Sequence, residues 1–114
     1  MFKLVTLLKR RPGMTVKAFR EYYESHHRRI GEKYLSGYAE RYVRRYVQPV
    51  AGMAPPDHDV VMEIWFRDEA AFHKTMQRLA EPAIAEEIVL DEEKLFDRSA
   101  MVSFSVLEVE SELG

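Results

Sequence analysis

The sequence predicts an α+β domain: a four-stranded antiparallel sheet with two main helices on one face, in the order β-α-β-β-α-β. Three observations support this. Residues 16–34 and 72–79 keep apolar side chains at helical spacing. Residues 41–48 and 58–66 alternate with a period of two. Short apolar runs near each end supply the outer pair of strands.

The first strand is "FKLVTLLK", Phe2–Lys9, closed by the turn "RRPGM" with Pro12 and Gly13. Thr15 is placed to cap a long helix. Val16, Phe19, Tyr22, Tyr23, Ile30 and Tyr34 form its apolar stripe, and Gly37 suits its end. About 20 residues at 1.5 Å each make it roughly 30 Å long. "RYVRRYVQPV" is the second strand: Tyr42, Arg44 and Tyr46 share one side, Val43, Arg45 and Val47 the other, and Pro49 stops it. "AGMAPPD" is a loop. The third strand, "HDVVMEIWF", sets Val60, Met62, Ile64 and Phe66 on one face and Val61, Glu63 and Trp65 on the other. Asp68 caps the second helix, with Phe72, Met76 and Leu79 inward, and Pro82 interrupts it. "AIAEEIVLDEEKLF" continues at helical spacing. The last strand is expected over Ala100–Glu110. The chain divides into a single domain over residues 1–110 and a tail over 111–114.

This order is the ferredoxin-like arrangement, which leaves one sheet face uncovered. Both faces of the third strand are apolar, so the sheet calls for a second cover, most economically a second copy of itself.

Bulk properties exclude several classes. The 114 residues include no cysteine, which removes disulfides and thiolate chemistry. No run approaches the roughly 18 apolar residues of a membrane span, and the N-terminus lacks the layout of a signal peptide. A cytoplasmic location without membrane association is expected. Residues 1–50 carry 12 Lys+Arg against 4 Glu (+8), and residues 51–114 carry 5 against 15 Asp+Glu (−10), which recovers the net −2. Complementary surfaces within the fold explain that division better than a nucleic-acid face. "RYVRRYVQ" interleaves basic and aromatic residues but has no glycine of the RNA-recognition pattern, so no nucleic-acid partner is expected.

The histidines carry the candidate chemistry. With 100° per residue and Phe19 at 0°, Tyr23 falls at about 40°, His26 at about 340° and His27 at about 80°. Both histidines therefore border the buried stripe, while Glu24, Arg28 and Lys33 face water. An imidazole there can act as general acid or base near neutral pH, with Tyr23 or Tyr46 as a relay. Tyr22, Tyr42, His58 and Trp65 join His26 and Tyr46 as candidate ligand contacts. Glu63, mid-strand beside Trp65, needs a partner, and Arg44 or Arg45 is the obvious one; facing an apolar pocket instead, it would serve as a base. Adjacent histidines on a helix diverge too far to share an ion, and there is no H-x-x-x-H, so no metal site is expected. No phosphate loop or nucleotide fingerprint is present, so no cofactor is expected.

Several stretches together resemble the EthD-domain family. "KRRPGMTVKAFREYYESHH" is similar to its strand, basic turn and F-x-x-Y-[WY]-x-x-x-H helix, through Phe19, Tyr22, Tyr23 and His27. "RYVRRYVQP", "DHDVVMEIWFRDEAAF" and "EEKLFDRSAMVSFSVLEVE" resemble its later segments in the same order. Where the family often carries small-Pro-Leu after the histidine, this chain has Arg28, Arg29 and Ile30, so its helix can run on. The resemblance implies a homodimeric α+β barrel with a small organic ligand in each subunit. It singles out His27. It implies a cofactor-free enzyme of monooxygenase, dehydratase or cyclase type acting on a phenolic, aromatic or polyketide-like substrate, or else a non-catalytic binding or accessory protein on the same fold.

Overall fold

The structure is a computed structural model that describes residues 1–114. Strand β1 (Phe2–Leu8) occupies the middle of the sheet beside β3 (Val60–Phe66); β2 (Arg41–Tyr46) and β4 (Val102–Ser105) are the edges. The order is β2-β3-β1-β4 and every pairing is antiparallel. This is the α+β, ferredoxin-like fold that the sequence predicts.

The register sorts side chains as the alternation requires. Leu4 pairs with Ile64 and Tyr42 with Ile64, which puts these three on the helix face with Met62, Phe66, Ser103 and Ser105. Lys3, Val5, Val43, Glu63, Trp65 and Phe104 lie on the opposite face, which no helix of the chain covers, although Val5 is buried there.

Thr15 caps the long helix, its hydroxyl accepting from the Ala18 amide at 3.1 Å. The helix runs on as α1 (Val16–Tyr22), a π-helical turn (Tyr23–His27) and α2 (Arg28–Leu35). Nothing after His27 stops it, as the absence of proline there implies. Ser36 ends it, and Gly37 follows at φ +83°, a left-handed conformation that suits glycine. In the π turn the Arg28 amide donates to the Tyr23 carbonyl, five residues back. This wider turn changes which residues face inward. In an α-helix, His26 would lie about 60° from Tyr23; with more residues per turn it swings further round. His26 is exposed, whereas Tyr23 and His27 are both buried, their rings edge to face at 5.2 Å. Glu24 reaches Arg44 and Tyr46 on β2 while its side chain stays 41% exposed.

Asp68 caps α3 (Glu69–Leu79) by accepting from the Ala71 amide at 2.8 Å. Pro82 does more than interrupt the helical pattern: it takes the first turn of α4 (Pro82–Glu92), where its missing N–H costs nothing. A 3₁₀ turn (Arg98–Ala100) leads into β4.

Three strands are shorter than the alternation suggests. β2 ends at Tyr46, and β3 begins at Val60. β4 stops at Ser105 instead of Glu110. Its neighbour β1 begins at Phe2, so residues past about 107 have no edge to pair with, and Leu107, Val109 and Leu113 stand in solvent.

The basic first half and acidic second half meet in ion pairs: Arg10 with Asp59, Arg45 with Glu63, Lys33 with Glu87, and Lys3 with Glu108. The interior has two clusters. One gathers Leu8, Phe19, Tyr23, Val60, Leu95 and Phe96; the other gathers Leu35, Ile64 and Phe66.

Candidate functional site

Between those two clusters the helices and sheet leave a half-open cavity of about 270 Å³. Leu4, Thr6, Leu8, Tyr42, Met62, Ile64 and Ser103 line its sheet side. Tyr23, His27, Ile30, Gly31 and Tyr34 line the long-helix side, and Met76, Leu79, Ile88 and Glu92 close it from α3 and α4. An apolar cavity of about 150 Å³ can hold benzene, so this one has room for roughly two fused rings. No lysine or arginine lines it.

His27 is the imidazole of this lining. Its Nδ1 lies 2.8 Å from Asp91 Oδ2, and both side chains are almost fully shielded. Asp91 Oδ1 accepts from the Tyr22 hydroxyl at 2.5 Å. Both carboxylate oxygens are thus engaged, and Nδ1–H donation to Asp91 leaves Nε2 as the nitrogen free to exchange a proton. Burial, reinforced by the Asp91 bond, pushes the Tyr22 hydroxyl up to about 12, so it remains a donor. Phe96 and Tyr23 each meet the imidazole edge to face, at 5.2 Å, and fix its plane.

A second polar group sits further along. The hydroxyls of Tyr23 and Tyr42 are 2.9 Å apart. Burial raises both, Tyr23 well above the ordinary phenol range and Tyr42 to about 12. Tyr23 therefore bonds to Tyr42 and touches His27 only through its ring. Behind them, Glu24 accepts from Arg44 Nε and Nη2 at 2.8 and 2.9 Å and from the Tyr46 hydroxyl at 2.5 Å. The Arg44 bonds hold the Glu24 carboxyl below the usual glutamate range.

Of the residues the sequence singles out, Tyr23, His27 and Tyr42 converge on the cavity. Tyr46 packs against Phe19 and Tyr23 in the neighbouring cluster. Tyr22 lies behind His27 as the second partner of Asp91, and His26 stacks on Tyr22 at 4.6 Å on the outer side of the helix. Glu63 and Trp65 occupy the opposite sheet face, where Glu63 pairs with Arg45 and accepts from Trp65 Nε1 at 2.8 Å. His58 lies in the loop before β3, lining a surface groove with Arg10, Arg20 and Asp59. No three His, Asp or Glu side chains converge as a metal-ligand set.

Sequence reasoning missed Asp91 and Glu92. The signal for Asp91 was present: Ile84, Ile88, Asp91 and Leu95 recur at helical spacing, so one carboxylate interrupts an otherwise apolar stripe.

The EthD-domain family model matches residues 11–99, which covers the long helix, β2, β3, α3 and α4. The chain belongs to the EthD-domain family. Solved structures of similar fold extend the likeness over nearly the whole chain at low identity. An EthD family protein of Bacillus halodurans superposes with a TM-score of 0.67 at 16% identity, covering 96% of this chain and 100% of its own. An Arabidopsis thaliana protein gives 0.66 at 12% identity, covering 99% and 100%. A dimeric ferredoxin-like protein of unknown function from Thermobifida fusca gives 0.60 at 10% identity, covering 92% and 88%. No curated protein matches. The side chains of this fold form a mostly apolar chamber with one histidine held by one aspartate.

Proposed function

We propose that this EthD-domain protein is a cofactor-free acid/base enzyme acting on a small, neutral, aromatic or polyketide-like molecule held in the cavity. The observation that carries this reading is the His27–Asp91 pair, 2.8 Å apart, with the imidazole lining a mostly apolar chamber. A neutral imidazole accepts a proton there, and Asp91 stabilises the imidazolium that forms. Enolisation, cyclisation and dehydration of a phenolic or polyketide-like carbonyl compound all need such a step and no redox group. The lining supplies no cation to neutralise a carboxylate or phosphate, so uncharged substrates fit best.

The uncovered sheet face supports a homodimer. Val5, Val43, Val61 and Phe104 surround the Arg45–Glu63 pair there, and Lys3 and Arg41 flank the Trp65 ring at 3.7 and 4.5 Å. A second copy placed face to face covers this surface. No helix is long and apolar enough to cross a membrane, and a cysteine-free chain suits the cytoplasm.

A panel of phenolic and polyketide-like ligands tests the reading, with binding by calorimetry and turnover by chromatography, for wild type and His27→Ala. Turnover lost with binding retained supports acid/base catalysis by His27. Turnover retained in His27→Ala refutes it. The mostly hydrophobic lining also suits a non-catalytic carrier, and ligand binding without wild-type turnover selects that role.

A further inference from the structure

The cavity contains one carboxyl group, and it faces the same space as His27. Asp91 and Glu92 are consecutive residues in the last turn of α4, and both are shielded, yet their surroundings differ. Asp91 is held by His27 and Tyr22. Glu92 has a single charged contact, Arg98 Nε at 3.5 Å, from the 3₁₀ turn that leads into β4. Arg98 keeps 45% of its side chain in solvent, against 17% for Glu92.

We propose that Glu92 is the proton donor that works beside His27, the two together enolising a neutral carbonyl compound. This deepens the acid/base reading above and rests on it. His27 Nε2 removes a proton from the carbon next to the carbonyl. The C–H electron pair becomes the new C=C bond, and the carbonyl oxygen takes the proton of the Glu92 carboxyl. The products are an enol, an imidazolium held by Asp91, and a carboxylate facing Arg98. Reversal of both transfers regenerates the starting protonation states, and no oxidant or reductant enters.

Two features of the site suit this division. Neighbouring carboxyl groups in different settings are driven to different protonation states, and that separation makes an acid and a base available at one pH. Burial raises Glu92 above the usual glutamate range; His27 from the π turn and Arg98 from the 3₁₀ turn oppose this, and Asp91 on its own helix adds to it. Arg98 is also positioned to steady the carboxylate that proton donation leaves behind. Among the lining residues, the Tyr23 and Tyr42 hydroxyls are bonded to each other and Thr6 Oγ1 lies 2.8 Å from Ser103 Oγ. Glu92 is the acidic group of that space, and Arg98 Nε, 3.5 Å away, is its partner.

The test uses 1-tetralone, a neutral two-ring ketone, and follows exchange of its α-protons for deuterium by NMR with the full-length chain. Wild type is expected to accelerate exchange, with a rate that falls on the alkaline side as Glu92 loses its proton. Glu92→Gln preserves the shape and cannot transfer a proton; its rate is expected to drop about a hundredfold, with the alkaline limb abolished. Arg98→Ala, which removes the positive charge favouring the Glu92 carboxylate, is expected to move that limb to higher pH. Near-UV circular dichroism checks that each variant is folded. A Glu92→Gln rate within about twofold of wild type, with the alkaline limb intact, overturns the role of Glu92 and leaves that of His27 standing. Wild-type exchange no faster than that of His27→Ala overturns both.

Discussion

Replacing Gly31 with alanine tests the geometry of the cavity wall. Gly31 lies in α2, where alanine is ordinarily the better residue by about 1 kcal/mol. Here an added Cβ would sit 2.6 Å from Tyr42 Cε2, 2.9 Å from Cζ and 3.1 Å from the hydroxyl oxygen. The Tyr42 ring must move, and three contacts resist that. Its hydroxyl is bonded to Tyr23 at 2.9 Å, the Arg44 guanidinium lies 4.8 Å from its ring centre, and the ring packs against both core clusters. Overpacking of this kind costs about 1–3 kcal/mol. Breaking the tyrosine pair leaves the Tyr23 hydroxyl, in a side chain that is 1% exposed, without a partner, for about another 1–3 kcal/mol. Subtracting the helix gain leaves a net loss of about 1–5 kcal/mol, with a central value near 3.

Urea unfolding measures this directly. The control is Tyr42→Ala, which removes the obstructing ring. In that background Gly31→Ala should stabilise the protein by about 1 kcal/mol, its ordinary helical gain. The sign of the Gly31→Ala effect therefore reverses between the two backgrounds, and the coupling between the positions exceeds about 2 kcal/mol. If Gly31→Ala stabilises the wild-type background as well, Tyr42 does not press on the helix and the wall described above is wrong.

Three further outcomes are expected. Asp91→Asn should lower turnover by on the order of a hundredfold with KM little changed, since an amide cannot balance the imidazolium; steady-state kinetics check this, and a wild-type kcat argues against His27 as the base. Glu24→Gln should flatten the acid limb of stability. The folded glutamate sits below its ordinary value of about 4.3, so its stabilising contribution is present at neutral pH and is lost as pH falls through the lowered folded value; melting temperatures between pH 7 and 3 show whether wild type loses more than the variant. Phe104→Glu, on the uncovered sheet face, should convert a dimer to monomer in light scattering while far-UV circular dichroism stays unchanged.

The sheet was legible because burial acts residue by residue on a pleated strand. Val60, Met62, Ile64 and Phe66 could share only one face, and Glu63 was then bound to lie on the other, where Arg45 meets it. The helix was legible in its extent and caps but not in its rotation. A step of 100° per residue brings His26 almost as close to the core as His27 and turns Glu24 outward. The π turn sends His26 outward, Glu24 stays partly in water while bonding Arg44, and no local residue type announces the turn. What holds it is tertiary: Asp91 on His27 and Arg44 on Glu24, from elements 64 and 20 residues away. Asp91 could have been suspected from the stripe it interrupts. Its partner could not, because α4 meets the π turn only in the folded chain.

The cavity itself argues for an occupant. Aromatic rings pack densely on either side of it: Phe19, Tyr23 and Phe96 in one cluster, Phe2, Phe66 and Phe72 around the other. Between them the chain places Thr6, Ser103 and Gly31, with the flexible side chains of Met62, Met76 and Met101 at the margins. Unfilled core space costs about 24 cal/mol per Å³, so 270 Å³ could cost up to about 6 kcal/mol were it sealed and empty. That is comparable with the whole stability of a domain this size. One larger side chain at Thr6 or Ser103 would recover part of it. A sequence that instead keeps hydroxyls and a glycine there, and lines the space with a histidine held by a buried aspartate, leaves that room open, which supports the ligand proposed above, whose binding would return the lost contacts.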